Sequence, residues 1–311
     1  MSAQTSFPVL GNVTAQQFLD EYWQKKPLLV RSAFPDFEAP INADELAGLS
    51  LEEEVESRIV LTENWQLQQG PFSEATYKRL PDREWTLLVQ AVDLWVPEVA
   101  ELKSKFAFLP PWRLDDIMVS YATDGGSVGP HFDYYDVFLI QGQGKRCWQV
   151  GHTCHGQEAL VEGTHLKILE EFSPIDEWVL EPGDMLYLPP KVAHHGVALG
   201  ECTTLSVGFR APTVVEMLGD LATELLSSNV PPQYLSDPPL SLEMASGDIS
   251  DDYIRQVKQL LSSALDNDEL IGDWFARYMT SPKYPDCMDA SSEHRSATWR
   301  KKHYLNGMLE S

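Results

Sequence analysis

Basic residues are scarce in this 311-residue chain: 23 Lys and Arg stand against 47 Asp and Glu, a formal net charge of −24. Such a surface repels a phosphate backbone and draws basic partners, so direct nucleic-acid binding is not expected. Long apolar runs are missing too, none approaching the ~18 uninterrupted residues of a membrane span. The start, MSAQTSFPVLGN, has neither the basic opening nor the apolar core of a secretion signal. Four cysteines, Cys147, Cys154, Cys202 and Cys287, make no disulfide framework. Buried or idle thiols in a reducing, cytoplasmic setting are expected. Internal repeats and low-complexity tracts are absent. What remains is an ordinary globular composition, 43% hydrophobic, enough for one sizeable domain and a smaller one.

Phe18, Leu19, Tyr22 and Trp23 recur at helical spacing in TAQQFLDEYWQ, with Thr14 as N-cap. PLLVRSAF reads as a strand, and NADELAGLSLEEEVESRIV as a helix ending in a strand. REWTLLVQAVDLWVPEVAELKSKF reads as one long helix or two, with Pro97 interrupting or opening a turn. From Asp116 to Arg210 the texture changes to short β-branched and aromatic runs, IMVSYA, DVFLIQ, CWQV, EWVL, MLYL and TTLSVGF, separated by DGG, GQG and EPGD. Many short strands at near-regular spacing indicate a β-barrel or sandwich. Beyond Pro212 three amphipathic segments follow, TVVEMLGDLATELLSS, DDYIRQVKQLLSSALDN and DELIGDWFARYM, the first two joined by the proline-rich PPQYLSDPPLSLE. They predict a helical domain at 213–281, and residues 282–311 form a polar, locally basic tail with no core pattern of its own.

GPHFDYYDVFLIQGQGKRCWQVG places His131 and Asp133 two residues apart at the start of an apolar run, on one face of a strand. EPGDMLYLPPKVAHHG offers a third donor just before another strand, GVALGECTTLSVGF. Two imidazoles and one carboxylate form the facial triad of a non-haem Fe(II) oxygenase and leave positions open for cosubstrate and dioxygen; zinc more often recruits cysteines or a third histidine. Adjacent strand residues point opposite ways, so one of His194 and His195 reaches the metal, and periodicity does not choose between them.

In KRCWQV, Arg146 shares a face with Trp148 and Val150. If that face is the interior, a buried guanidinium needs a carboxylate, from a protein acid or from a dicarboxylate ligand gripped through paired hydrogen bonds. 2-Oxoglutarate is a dicarboxylate that also chelates Fe(II), and Ser120, in IMVSYA, is placed to donate to it or to sit as a satisfied core serine.

WRLDDIMVSYATDGGSVGPHFDYYDVFLIQGQGKRCWQVG, EPGDMLYLPPKVAHHGVAL and SVGFRAP resemble the bacterial JmjC-type ribosomal oxygenases, above all those hydroxylating an arginine of large-subunit ribosomal protein sixteen. The likeness extends from FLDEYWQKKPLLVR to about residue 212 and weakens in the helices beyond. It implies a double-stranded β-helix of the cupin/JmjC type, mainly β with α, flanked by N-terminal helices and followed by a helical dimerisation domain. On this basis 1–212 is the catalytic domain, its barrel core about 113–212. The resemblance further implies Fe(II) on His131, Asp133 and His194, with 2-oxoglutarate held by Arg146 and O2 as second cosubstrate. His194 rather than His195 matches the family's PP-x-x-x-H-x-G pattern. The implied partners are a basic ribosomal protein as substrate and a second copy in a homodimer. Tyr135 by stacking, Asp124 by charge, and Ser206 are candidate substrate contacts.

Two departures stand out. Lys191 replaces the family's usual glycine after the diproline, and residues 282–311 read as the start of a shortened winged-helix-like domain. The rival readings are the same chemistry on another residue, as histidine hydroxylation or lysine demethylation, and a non-catalytic cupin-like binding module. HTCHG, with His152, Cys154 and His155, resembles a metal site when read alone, but its donors crowd into four residues and it reads as an exposed loop.

Overall fold

The computed structural model describes residues 7–227, 231, 233–240, 247, 249–285 and 295–310; Cys287 and part of the proline-rich connector lie outside the described residues. These fall into two compact units. One runs to Ala211 and includes the return from Lys283; the other comprises the chain from Pro212 to Pro282 and the C-terminal residues.

In the first unit, α1 (Ala15–Glu21) starts where Thr14 Oγ1 accepts from the Gln17 amide at 3.1 Å, and it buries Phe18. β1 (Leu28–Val30) follows, then α2 (Ala43–Leu49), opened by a capping box between Asn42 and Glu45. β2 (Ser57–Leu61) pairs with β3 (Gln66–Gln69), and α3 (Glu74–Tyr77) is a single capped turn. The one or two long helices expected over 83–106 are not there. The first part of that span is β4 (Trp85–Val89), followed by 3-10 turns at Val92–Leu94 and Glu101–Phe106 around the one-turn α4 (Pro97–Ala100), with Pro97 in its first turn. All five β4 residues are buried. A strand covered on both faces shows no alternation, so its apolar run reads equally as a helix. Ala91, at φ 50°, ends it.

The expected strands then appear: β5 (Leu114–Ala122), β6 (Val137–Gln141), β7 (Lys145–Thr153), β8 (Asp176–Leu180) and β9 (Met185–Leu188). The single strand expected after His194 is two, β10 (Val192–Leu199) and β11 (Cys202–Phe209), joined at Gly200 with φ 75°. His194 therefore lies inside β10, not before it. One eight-stranded sheet runs β1-β9-β6-β11-β5-β4-β2-β3, and a smaller one runs β10-β7-β8. Together they make the expected double-stranded β-helix. Alternation sorts β6 between two cores: Phe138 and Ile140 face Phe18, Phe106 and the N-terminal helices, whereas Val137 and Leu139 face Trp148, Val150 and Leu180 of the smaller sheet.

The second unit contains α5 (Val214–Ser227), α6 (Asp251–Leu265) and α7 (Asp268–Thr280), where the amphipathic segments predicted them. The tail is more ordered than its polarity suggested. β12 (Ser296–Trp299), β13 (Lys302–Leu305) and β14 (Met308–Leu309) form an antiparallel sheet. Tyr304 is buried with its hydroxyl on Asp273, and Trp299 lies where Gly272 leaves no side chain. Four-residue strands with one aromatic anchor each are too short to show a period.

Candidate active site

His131 and His194 are joined by an isolated antiparallel bridge, so the segment before β6 and strand β10 meet at one mouth of the barrel. The two rings stand 4.3 Å apart between centroids. Asp133 Oδ2 lies 4.0 Å from His131 Nε2 and 3.7 Å from His194 Nε2, and the three donor atoms fit within 4.8 Å of one another. Opposite this point the register of β7 slips by one residue, Val192 pairing with Thr153 but His194 with Val150, so the extra residue of the bulge lies in β7. His195 faces the other way, its ring edge-on to Phe172 at 6.0 Å.

Both imidazoles are fixed in one tautomer. Nδ1 of His131 donates to the Gly129 carbonyl at 2.9 Å, and Nδ1 of His194 donates to the Val192 carbonyl at 2.9 Å. A carbonyl only accepts, so each proton sits on Nδ1 and each Nε2 lone pair is free to ligate. Burial and the neighbouring His131 lower His194 to about 4, which keeps it neutral at physiological pH. The Asp133 carbonyl accepts from the Lys191 amide at 2.6 Å. Lys191 has φ 67°, the left-handed conformation a glycine would hold, so the lysine keeps the backbone path of this loop.

The triad opens into a cavity of about 250 Å³ lined by residues of both sheets, including Ser120, Tyr135, Arg146, Trp148, Thr204 and Ser206. Arg146 is buried with Trp148 and Val150, as its strand position predicted. Among the described residues no carboxylate pairs with it. Its Nε and Nη2, with Trp148 Nε1 and Thr86 Oγ1 on the same walls, are buried without a hydrogen-bond partner among the described residues. Unpaired buried donors are expensive, and four of them around one cavity indicate a polar ligand. Val150 is the register partner of His194, and Arg146 lies four residues further along β7, roughly 13 Å of strand. The two side chains bridge part of that interval and leave room for a short diacid. Ser120 is buried, its Oγ 3.5 Å from the Thr204 carbonyl.

Tyr135 and Ser206 line the cavity; Asp124 does not. Asp124 pairs with Arg83 at 3.2 Å and accepts from the Gly200 amide at 2.9 Å. The negative charge of Asp133 pushes the Tyr135 hydroxyl far up, so it stays protonated. Sequence reasoning missed Arg58 of β2, Thr86 of β4 and Thr204 of β11. Thr204 was within reach, being two residues before Ser206 on the same strand face; Arg58 and Thr86 enter only through sheet order.

Residues 101–217 match the JmjC domain family. Over 269 residues the chain is 38% identical to the ribosomal protein uL16 3-hydroxylase of Escherichia coli, covering 86% of this chain and 71% of that one. Identity to a probable ribosomal oxygenase of Haemophilus influenzae is 38% over 289 residues, 90% of this chain and 71% of that. Among solved structures, E. coli YcfD superposes with a TM-score of 0.85 at 33% identity, covering 96% and 86% of the two chains. YcfD, a ribosomal oxygenase, in complex with cobalt and 2-oxoglutarate gives 0.83 at 32% identity, with the same coverage.

Proposed function

This chain belongs to the ribosomal oxygenases of the JmjC-domain class, and from that membership we propose that it is an Fe(II)- and 2-oxoglutarate-dependent hydroxylase of an arginine in large-subunit ribosomal protein uL16. The observation that carries the reading is Arg146, a buried guanidinium with two unpaired nitrogens in the cavity that holds the triad. A pure binding module has no use for such an anchor, whereas a dicarboxylate cosubstrate satisfies it through paired charge-assisted hydrogen bonds. His131, Asp133 and His194 would hold the metal on one face, and Ser120 would add a donor near the distal carboxylate.

Bound Fe(II), with 2-oxoglutarate and O2, supplies the oxidising power for insertion of one oxygen into a C–H bond, leaving succinate and CO2. The rest falls to the chain. His131 and His194 present Nε2 because their Nδ1 protons are tied to carbonyls. Arg146 orients the cosubstrate from the far end. Val137 and Leu139 line the apolar inner wall, and Tyr135 and Ser206, also lining the cavity, would receive the substrate side chain. The formal charge of −24 favours capture of a basic ribosomal protein. Acting where ribosomes are, the enzyme would work in the cytoplasm; no helix among the described residues is long and apolar enough to cross a membrane. Homodimerisation through the second unit is supported by α6, which has no buried residue and presents Ile254, Leu261 and Leu265 along one exposed face.

The test is a mass spectrum of large-subunit ribosomal proteins from a strain lacking this gene, after incubation with the chain, Fe(II), 2-oxoglutarate and air. Gain of one oxygen on a uL16 arginine, abolished by His131→Ala, is expected. Succinate formation with no change in any protein would mean the wrong substrate, and no succinate at all would overturn the enzyme reading.

A further inference from the structure

We propose that His152, Cys154 and Glu158 form a second metal site, selective for a thiolate-preferring divalent ion such as zinc and separate from the triad. Nothing in it depends on the hydroxylase reading. One nitrogen of His152, Sγ of Cys154 and one carboxylate oxygen of Glu158 lie within 4.8 Å of one another. Tetrahedral zinc, with bonds of roughly 2.3 Å to sulfur and 2.0–2.1 Å to nitrogen or oxygen, requires donors about 3.3–3.6 Å apart. His152 Nε2 already stands 3.8 Å from Cys154 Sγ, so small side-chain rotations suffice.

The local backbone explains the convergence. His152 and Cys154, at the end of β7, are two residues apart and share a face. Gly156, with φ 88°, then turns the chain and brings Glu158 back. The Glu158 carboxylate is oriented by its neighbour: it accepts from the His155 amide at 2.8 Å and meets His155 Nδ1 at 3.2 Å. A ligating carboxylate held by an outer partner is the usual arrangement around a bound ion. Read as HTCHG alone, the segment offered His155 as its third donor; Glu158, outside that string, is the one that converges with His152 and Cys154.

The surroundings suit an ion held by three protein donors with water in the fourth position. Cys154 is buried against Leu169, Ala193, Phe132 and Phe172, which gives the sulfur a dry wall, while His152 is exposed and leaves an entry path. Sulfur with imidazole selects zinc-like ions, whereas the triad has no sulfur and suits a harder one. An ion here would also act on the turn that carries His194. The Cys154 amide donates to the Lys191 carbonyl at 2.7 Å, and the Lys191 amide donates to the Asp133 carbonyl at 2.6 Å. Fixing the end of β7 thus clamps the 189–192 turn from outside the cavity.

Cobalt(II) titration of the full chain, stripped by chelator, tests this. Cobalt bound to thiolate gives a near-ultraviolet charge-transfer band that the triad, lacking sulfur, cannot give. Two equivalents are expected, one with the band, and zinc should displace it. Cys154→Ser should remove the band and one equivalent. His152→Ala, at an exposed position, and Glu158→Gln, which keeps an oxygen to accept from the His155 amide, should each weaken the band-forming equivalent tenfold or more. Asp133→Ala should keep the band and lose the other equivalent. A single equivalent without the band, or a band that survives Cys154→Ser, would overturn the proposal.

Discussion

The amide of His131 donates to the carbonyl of His194 at 3.0 Å, and the amide of His194 returns the bond to His131 at 2.8 Å. Two of the three proposed ligands are therefore locked to each other through the main chain, and the third, Asp133, is held by the Lys191 amide. None of these bonds involves a ligand's donor atom, so the backbone has already brought the triad together before any ion arrives.

It follows that chelation should remove activity without removing structure. The far-ultraviolet circular dichroism of the stripped protein is expected to match that of the loaded one. Adding Mn(II), a hard ion suited to the triad, should raise the thermal midpoint by an amount equivalent to ~2–3 kcal/mol at a hundredfold excess over its dissociation constant. Asp133→Ala should abolish both the Mn(II) response and hydroxylation while leaving the spectrum unchanged. Loss of secondary structure on chelation would show instead that the ion builds the site.

Arg146→Met separates ligand binding from stability with opposite signs. Each charge-assisted hydrogen bond lost to the cosubstrate costs about 1.5–3 kcal/mol, so the KM for 2-oxoglutarate should rise at least tenfold, read from succinate formation at saturating Fe(II). The ligand-free protein should hold or gain stability, because an unpaired buried charge is replaced by an apolar chain of similar length. A large fall in the ligand-free thermal midpoint would mean that the guanidinium has a structural partner.

A different network carries fold stability. Asp136 is fully buried and accepts from Tyr187 Oη at 2.6 Å, Gln24 Nε2 at 3.1 Å and Arg113 Nη2 at 3.4 Å, and Tyr187 Oη itself accepts from the Gln24 amide at 2.8 Å. Tyr187→Phe is expected to cost about 1–3 kcal/mol. Burial raises the Asp136 carboxyl and the Tyr187 hydroxyl draws it back down. A carboxyl raised in the folded state holds its proton better folded than unfolded, so stability falls as pH climbs from the ordinary carboxylate range through the folded value. The variant raises Asp136 further, so its deficit should be largest at neutral pH and shrink in acid. Thermal melts of both proteins across that range check the sign; a pH-independent difference would count against it.

Most of the barrel was legible because its strands between Asp116 and Arg210 are short, β-branched and bounded by glycine and proline turns. β4 was not, since burial on both faces erases the period of two that marks a strand. The pairing of His131 with Asp133 could be read from a spacing of two. Periodicity could not choose His194 over His195, because adjacent residues of β10 point opposite ways and no local signal says which face is inside; the likeness to the family's PP-x-x-x-H-x-G pattern made that choice. Arg58, Thr86 and Glu158 reach their places through sheet order or a turn, which no single stretch of sequence contains.

Lys191 tests whether the loop before His194 carries a removable cost. Its φ of 67° lies in the left-handed region, where a side chain costs roughly 1–2 kcal/mol. Glycine avoids that cost but gives back ~0.4–1 kcal/mol through its freer unfolded chain. The long side chain offsets little, its Nζ standing 5.9 Å from the ring of the exposed Tyr134, a contact worth at most ~1 kcal/mol at such a site. Strain outweighs the other two terms only narrowly, so Lys191→Gly should raise the chemical-denaturation midpoint slightly, by about 0.5 kcal/mol, with the slope unchanged. The amide to Asp133 and the carbonyl to Cys154 remain, so the Mn(II) response should be preserved. A clear loss of stability would mean that the lysine side chain is itself part of the scaffold of the site.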